Sequence, residues 1–344
     1  MIDFSLFFFS NYEVDQYNKY HLLLEAVKYI DQNEFKAVWT PERHFHEFGG
    51  LFPNPSVTSA ALAMITENIE LRSGSLVSPL HDVVRIAEEW SVVDNLSNGR
   101  VSLSFASGWN GNDFVLSPEN YQDRHQVMID QIETVKNLWK GGSITRKNGV
   151  GKSFSFQVYP SPIQKELPIW ITAAGNPKTY SMAGEMGANL LTHLLGQDIE
   201  EATGKIALYR EAREKNGFDP DTGKVAMMLH TYVGETMEQA MEVVEEPFIE
   251  YLKSATNLSK FLYEEAGYKA DEIPEEDKEA MLKHSFQRYS KEAALIGTVT
   301  SCSEMVNKMF EIGVNEIACL VDFGIKPTEM LKGLEKLNEL KSLY

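Results

Sequence analysis

Residues 71–109 constrain the fold of this chain more than any other segment. The segment opens with the strand pattern LRSGSLV and closes with a second strand pattern, VSLSFAS. Asp82 stands where a helix N-cap belongs, and Ser97-Asn98-Gly99 offers a helix end that can take positive φ. Between them, apolar residues at helical spacing mark one predicted buried face: Val83, Ile86, Trp90, Val93 and Leu96. The segment therefore predicts a β-α-β unit, with small polar loops after both strands.

The same alternation continues along the whole chain. Further strand patterns are IDFSLFFFS, FKAVWT, LPIWITA, ANLLTHL, KVAMMLHTYVG and NEIACLVDFG, and amphipathic helical patterns separate them. Eight βα units in 344 residues favour a closed (β/α)8 TIM barrel, an α/β fold, over an open doubly wound sheet. No GxGxxG motif follows the first strand. We expect residues 1–344 to form a single domain.

Two segments interrupt the alternation and are predicted to be insertions. Residues near 143–160 have the pattern of a β-hairpin turned by Asn148-Gly149. Residues near 254–290 combine an acidic run with several aromatic side chains and have no clear periodicity. We expect this second segment to be irregular and to form a mobile lid over the barrel mouth, and an insertion at a dimer interface is the alternative.

Composition excludes several classes of protein. A formal net charge of −18 argues against nucleic acid and anionic membranes as partners. Two cysteines suggest neither a disulfide framework nor a Cys-based zinc site. No apolar run of about 18 residues is present, and the N-terminal residues have no basic leader. A cytoplasmic enzyme is the expectation.

The loop after the second strand, TPERHFHEFGG, carries the strongest candidate for chemistry. It holds Glu42, Arg43, His44, His46 and Glu47 at the end of the barrel where active sites form. Histidine is the natural acid-base residue near neutral pH. A metal site is weakly supported, because this spacing on a loop is not diagnostic. A plain polar surface loop remains an alternative.

A second loop, TAAGNPKTY after the fifth barrel strand, has the features of an anion site. Gly175 permits close backbone approach, Asn176 can cap the next helix, and Thr179 offers a hydroxyl. Free N–H groups at a helix N-terminus bind phosphate. An ordinary capped helix is the alternative, and the loop around Gly324 is a rival phosphate site.

Several side chains near strand ends are further candidates by position. Phe8 could face the barrel lumen, with Phe7 and Phe9 on the opposite side, or the reverse. His193 ends the sixth strand beside the predicted anion loop and ranks above His81 and His230 as a second polar group in the pocket.

The chain closely resembles the bacterial luciferase-like flavin monooxygenases over nearly its whole length. The resemblance is strongest in AEEWSVVDNLSNGRVSLSFASGWNGNDF, AAGNPKTYSMAGEMGANLLTHLLGQD and VAMMLHTYVG. These phrases are similar to the subgroup associated with polyketide and nonribosomal peptide synthases. The resemblance implies that Glu42 and His44 are catalytic, with His44 facing the reactive side of the flavin.

The resemblance also implies the flavin contacts. Small residues at Ser73, Gly74 and Ser75 would lie under the ring, where a non-prolyl cis peptide often occurs in the family. Ser107 and Trp109 would contact the ring and phosphate, and Arg124 is a weaker candidate for balancing the phosphate charge. The FMN phosphate would be held by the anion loop, through Ala174, Gly175, Asn176 and Thr179.

What the resemblance implies for activity is an FMN-dependent two-component monooxygenase. Reduced FMN would come from a separate NAD(P)H:flavin reductase, and O₂ would react to give a flavin C(4a)-hydroperoxide. The expected outcome is hydroxylation, N-oxidation or Baeyer–Villiger-type insertion on a biosynthetic intermediate, free or tethered to a carrier protein. A homodimer is expected.

Two alternatives stay open. The same barrel could serve a deazaflavin-dependent dehydrogenase, although Lys178 is the only basic residue in 175–181, which disfavours a polyanionic cofactor tail. The chain could also be a non-catalytic flavin-binding accessory protein, and the presence of Glu42 and His44 argues against that.

Overall fold

The computed structural model describes residues 1–9, 19–47, 49–258 and 275–344, with the side chains of 255–258 and 275–281 excepted. The strands are β1 (Asp3–Phe7), β2 (Ala37–Thr40), β3 (Glu70–Val77), β4 (Val101–Ala106), β5 (Ile144–Lys147), β6 (Ser153–Phe156), β7 (Ile169–Thr172), β8 (Asn189–His193), β9 (Val225–Val233), β10 (Leu295–Gly297) and β11 (Glu316–Leu320). The helices are α1 (His21–Gln32), α2 (Pro55–Ala63), α3 (Val83–Ser97), α4 (Arg124–Trp139), α5 (Pro177–Glu185), α6 (Ile199–Lys215), α7 (Met237–Leu258), α8 (Glu275–Glu292), α9 (Val299–Glu311) and α10 (Pro327–Lys341).

Eight parallel strands close into a barrel. Neighbours pair in the order β1, β2, β3, β4, β7, β8, β9 and β11, and β11 pairs back to β1. Helices follow the strands and surround the barrel. The prediction of a (β/α)8 barrel is therefore confirmed. The short strand β10 was not predicted and pairs with the end of β9.

The unit from β3 to β4 shows how closely the sequence pattern specifies local structure. The Asp82 carboxylate accepts the Val84 N–H at 2.8 Å, and Asn98 ends α3 with φ 58°. The predicted buried face holds at four of its five positions, but Leu96 is 46% exposed. The prediction for Leu96 was wrong because the buried face continues from Val93 through Asp94 to Ser97, and Leu96 lies beside it.

A polar and aromatic layer fills the barrel lumen. Side chains from β1, β3 and β11 meet there, where Arg72 Nη1 donates to both Glu316 oxygens at 2.9 Å and Ser5 donates to Glu316 at 2.6 Å. The Arg72 guanidinium lies 4.6 and 4.7 Å from the ring centroids of Trp39 and Trp170. Because this layer occupies the interior, a ligand has room only at the mouth above it.

The predicted hairpin is present, but its turn is longer than two residues. β5 and β6 pair antiparallel from Ile144–Phe156 to Lys147–Ser153. The loop spans 148–152: the Asn148 side chain accepts N–H groups of Val150 and Lys152, and Gly151 takes φ 77°. Asn148-Gly149 therefore begins the turn and does not complete it.

The prediction of an irregular segment at 254–290 was wrong for its described parts. Helix α7 continues to Leu258, and α8 begins at Glu275. Phe286 is buried against Phe248 of α7, with ring centroids 5.7 Å apart. Residues 259–274, including Phe261, Tyr263 and Tyr268, lie outside the described residues. Among the described helices, none is long and apolar enough to cross a membrane.

Candidate active site

A buried carboxylate joins two histidines at the barrel mouth. Glu42 lies just beyond β2 and is 5% exposed. Its Oε1 accepts hydrogen bonds from His44 Nε2 at 2.9 Å and His81 Nε2 at 2.6 Å, and its Oε2 accepts the Val77 N–H at 2.7 Å. β2 and β3 are neighbouring strands, so the chain reversal through α2 brings His81 beside the loop of residues 41–47.

These contacts determine where the protons lie. Burial opposes ionisation of Glu42, but the hydrogen bonds from His44, His81 and Val77 hold its pKa below the ordinary value. Burial likewise disfavours the charged form of His81. The hydrogen bond and the negative charge of Glu42 have the larger combined effect, so the pKa of His81 is raised. An ionised carboxylate only accepts hydrogen bonds, so both Nε2 atoms carry protons. His44 Nδ1 then has no partner within the described residues and is available for proton transfer.

Hydroxyl groups line the wall beside β3, β4 and β7. Thr172 Oγ1 is hydrogen bonded to Ser75 Oγ and, at 2.6 Å, to Ser104 Oγ. Ser73 Oγ accepts the Ser104 N–H at 2.9 Å. The Gly74–Ser75 peptide bond is cis, at the point where the register between β3 and β4 shifts. Three of the predicted residues, Ser73, Gly74 and Ser75, thus lie together at one strand end.

The prediction for Phe8 requires correction. Ser5 faces the lumen, so alternation places Phe7 on that side and Phe8 on the other. Phe8 is fully buried against Phe52, with ring centroids 6.5 Å apart. A Cβ on Gly74 would come within 2.9 Å of the Phe7 ring, so Phe7 is the phenylalanine that packs under the cis peptide. The sequence pattern predicts that successive side chains of β1 face opposite sides of the strand. It does not predict which of them face the barrel lumen.

The predicted anion loop precedes α5. Asn176 caps this helix by accepting the Lys178 N–H at 3.1 Å, and Thr179 is half-buried one turn in. Nothing in the described chain would lie within 4 Å of a Cβ on Gly175, so space is open above the loop. The Ala174 carbonyl is held from below by the Tyr180 hydroxyl and the Gln197 amide, each at 3.2 Å.

The end of β4 lies beside this loop, because β4 and β7 are paired. Ser107 is half-buried there, and Trp109 is 38% exposed. Arg124 donates to the carbonyl oxygens of Gly108 at 3.1 Å and Tyr121 at 2.9 Å, through Nε and Nη1. Its Nη2 has no hydrogen bond within the described residues. The Arg124 guanidinium and the Ser107 hydroxyl therefore lie near the end of β4, and the N-terminus of α5 follows the neighbouring strand β7.

The other two candidate histidines, His193 and His230, are not among the hydrogen-bond partners of Glu42 in the described residues. His193 Nδ1 accepts the Leu195 N–H at 3.1 Å, and burial lowers the His193 pKa to about 4. His193 is therefore neutral at pH 7 and can donate only from Nε2. Burial also lowers the His230 pKa, to about 3, and aromatic rings of Phe248, Tyr251 and Phe323 surround its side chain. Neither residue is an acid-base group at neutral pH.

The rival anion loop at Gly324 is disfavoured by charge. The buried Asp322 carboxylate precedes it and accepts the Phe9 N–H at 2.7 Å. A carboxylate at this point repels a phosphate. The loop before α5 has no acidic side chain between 173 and 179 and remains the better candidate.

Comparison with known proteins decides the family. A model described as luciferase-like monooxygenase matches residues 2–316. The chain belongs to the luciferase-like monooxygenase family. Among its relatives is the oxygenase component of the flavin-dependent trigonelline monooxygenase of Acinetobacter baylyi, which is 29% identical over 258 residues, covering 72% of this chain and 69% of that protein.

Solved structures share the fold at low sequence identity. The monooxygenase RslO1 from Streptomyces bottropensis superposes with a TM-score of 0.82 at 20% identity, covering 98% of both chains. The oxygenating constituent of 3,6-diketocamphane monooxygenase of Pseudomonas putida, a type II Baeyer–Villiger monooxygenase in complex with FMN, gives 0.79 at 15% identity, covering 100% of this chain and 98% of that one. An F420-dependent secondary alcohol dehydrogenase gives 0.71 at 16% identity, with 98% coverage of both chains. The fold therefore hosts both oxygenation and deazaflavin chemistry.

Several residues of this luciferase-like site were missed or ranked too low from the sequence. His81 was ranked below His193, yet it is bonded to Glu42 together with His44. Thr172 was not singled out, although it ends a predicted strand and its hydroxyl could have been noted there. Tyr180 and Gln197 support the anion loop from within and after α5. No local signal marks either of them, because their role depends on contacts between elements.

Proposed function

We propose that this chain is the oxygenase component of a two-component system that uses reduced FMN and O₂ to oxidise an intermediate of natural-product biosynthesis. The observation that carries the proposal is the Glu42–His44–His81 cluster at the mouth of a luciferase-like barrel. The oxidation would be a hydroxylation, an N-oxidation or a Baeyer–Villiger-type insertion. A separate NAD(P)H:flavin reductase would supply the reduced cofactor, as the relative's description as an oxygenase component suggests.

The residues present fit FMN. The open space above Gly175, the N-terminus of α5 and the half-buried Thr179 form a cradle for a phosphate. Arg124, the first residue of α4, contacts the Gly108 carbonyl just after β4 and adds a positive charge there. Phe7 and the Ser73–Ser75 segment supply a flat wall of small and aromatic groups for the ring. Reduced FMN bound here would activate O₂, which is chemistry that no protein side chain supplies.

The protein's own contribution is proton handling and exclusion of water. Glu42 fixes the His44 ring with its Nε2–H inward, which leaves Nδ1 to accept or return one proton at the reacting centre. His81 shares the same Glu42 oxygen and keeps the carboxylate ionised. Helices α7 and α8 pack aromatic side chains near the mouth, and Tyr289 accepts the Gly196 N–H at 3.0 Å, which ties α8 to the loop after β8.

A deazaflavin-dependent dehydrogenase is the second candidate, because such an enzyme shares the fold. Lys178 is exposed and is the only cation in the anion loop, which offers little to a polyanionic tail. The proposal of FMN therefore rests on the charge of this loop as well as on the family.

A homodimer forms part of the proposal. Large apolar side chains are exposed on α2, on its C-cap residue Met64 and on α3, which packs against α2: Val57 is 67% exposed, Met64 69%, Val92 42% and Leu96 46%. An uncovered apolar surface of this kind favours association. A second copy of the chain would cover it.

Binding and oxidation measurements test the function. The protein is titrated with FMN, reduced FMN and F420, and the reoxidation of bound reduced FMN in air is followed by flavin absorbance. We expect FMN binding, and we expect His44→Asn to bind FMN within about twofold of wild type while slowing substrate oxidation about 10²-fold. Glu88→Gln, on the exposed side of α3, is the matched control. Tight binding of F420 without binding of FMN would replace this proposal with the dehydrogenase.

A further inference from the structure

Arg43 presents a guanidinium at the barrel mouth beside the catalytic cluster. Its backbone N–H donates to the Phe52 carbonyl at 2.9 Å, which fixes the loop. A Cβ on Gly49 would come within 2.6 Å of Arg43 Cγ, and Gly49 takes φ 83°, so a glycine at that turn makes room for the side chain. The guanidinium carbon lies 4.3 Å from the Phe9 ring centroid and 5.6 Å from the Trp109 ring centroid.

This half-buried guanidinium lacks the partners that the two buried arginines have. Arg72 is paired with Glu316 and Glu70, and Arg213 donates to backbone carbonyls of Asp219 and Ala188. For Arg43, no carboxylate oxygen of the described chain lies within 4.0 Å, and its side chain forms no hydrogen bond within those residues. A guanidinium has five donors, and a charge that is partly removed from water is normally paired. The unused donors point to a missing acceptor.

The electrostatic surroundings agree with that geometry. Burial lowers the pKa of Arg43, and Asp113 and Tyr251 oppose this only from a distance. Asp113 is itself bound by the Asn110 amide at 2.8 Å, and burial raises its pKa. The charges of His44 and Arg43 oppose this effect of burial on the Asp113 carboxyl.

We propose that Arg43 binds a carboxylate of the substrate itself. The planar fork of arginine matches a carboxylate with two parallel hydrogen bonds. Arg43 precedes His44 in the loop after β2, so an anion bound by Arg43 would lie at the same strand end as His44. The cradle assigned to the FMN phosphate follows β7, whereas Arg43 follows β2, so different strand ends would hold the two anions. This inference rests on the proposed function.

Calorimetric titration with simple probes tests the site. Protein without flavin is titrated with benzoate and with benzamide, its neutral counterpart of the same shape. We expect saturable benzoate binding, with benzamide about tenfold weaker or more. Arg43→Gln should weaken benzoate binding about tenfold or more, and Arg43→Lys, which keeps the charge without the fork, should weaken it less. Arg85→Gln, on the exposed face of α3, should leave it unchanged, and thermal melting checks the fold of each variant.

Several results would overturn the site. They are equal binding of benzoate and benzamide, unchanged benzoate binding by Arg43→Gln, or no saturable benzoate binding by wild type. A loss of FMN but not riboflavin affinity in Arg43→Gln would assign the flavin phosphate to Arg43 instead. Displacement of benzoate by pantetheine 4′-phosphate in wild type would assign the anion to a carrier arm. Because the benzoate titrations contain no flavin, their outcome is independent of whether the cofactor is FMN or a deazaflavin.

Discussion

Replacing Glu42 with glutamine gives the sharpest test of the active-site geometry. The carboxylate accepts from three donors, two on Oε1 and one on Oε2. A glutamine amide keeps one acceptor, so its NH₂ group must face either the two histidines or the Val77 N–H. Each hydrogen bond to a charged group contributes about 1.5–3 kcal/mol, and a donor left facing a donor adds a desolvation cost. We expect Glu42→Gln to lower the free energy of unfolding by about 2–4 kcal/mol.

The loss should depend on pH in a defined direction. The folded pKa of Glu42 is lowered, so its contribution is present above the ordinary value of 4.5 and is lost as pH falls through the folded pKa. The folded pKa of His81 is raised, so its contribution is complete below 6.5 and is lost as pH rises through the folded pKa. The stability difference between wild type and Glu42→Gln should therefore be greatest between these two limits.

Urea unfolding across pH and NMR titration of the His81 ring measure both effects. Without the carboxylate, burial is the main remaining influence on His81, so its pKa should fall below 6.5 in the variant. Glu88→Gln, whose partner is the exposed Arg85, is the control and should change stability by less than about 0.5 kcal/mol. A Glu42→Gln variant as stable as wild type, with an unchanged His81 pKa, would refute the arrangement described here.

Three further outcomes are expected. Gly175→Val should weaken FMN binding more than riboflavin binding, because riboflavin lacks the phosphate. The unfolding midpoint should not change, because the space around Gly175 is open. Equal losses of affinity for both ligands would show that this loop does not bind the phosphate. Arg72→Met should cost about 3–5 kcal/mol in urea unfolding, since it leaves Glu316 buried without its cation, and a loss under about 1 kcal/mol would contradict the lumen contacts. Met64→Glu should shift the protein toward the monomer in sedimentation, whereas an unchanged mass would place the dimer contact elsewhere.

Much of the fold follows from local pattern, because strands and helices of this chain carry clear apolar periodicity. The caps of α3 at Asp82 and Asn98 were readable because capping depends on neighbouring residues. The exposure of Leu96 was not, because the buried positions at the end of α3 are the polar residues Asp94 and Ser97, and Asp94 is buried where it binds the backbone at Ile163, 69 residues away. The helical character of α8 was missed because its acidic residues weaken the apolar pattern.

For the candidate site, too, features set by neighbouring residues could be predicted, and contacts between residues far apart in the sequence could not. The sequence indicated which loops matter, since the carboxyl ends of parallel strands share one face of a barrel. It could not indicate that Glu42 binds His81, 39 residues away, rather than facing water. It also could not give the phase of the β1 alternation, which decides between Phe7 and Phe8, because aromatic residues occupy both faces of that strand.

The packed layer in the barrel lumen determines which side chains of β1 face inward. Arg72, Glu316 and the two tryptophans fill the barrel interior, so Ser5 and Phe7 of β1 are committed to the inner face. That phase carries Phe9 to the same side two residues later, where its ring lies against the Arg43 guanidinium. The packing that closes the barrel below the mouth therefore also positions an aromatic ring beside the one mouth arginine for which we infer an external acceptor. A substrate carboxylate bound by Arg43 would lie above this packed layer of the barrel interior. The layer would hold the Phe9 ring in place while the reaction proceeds.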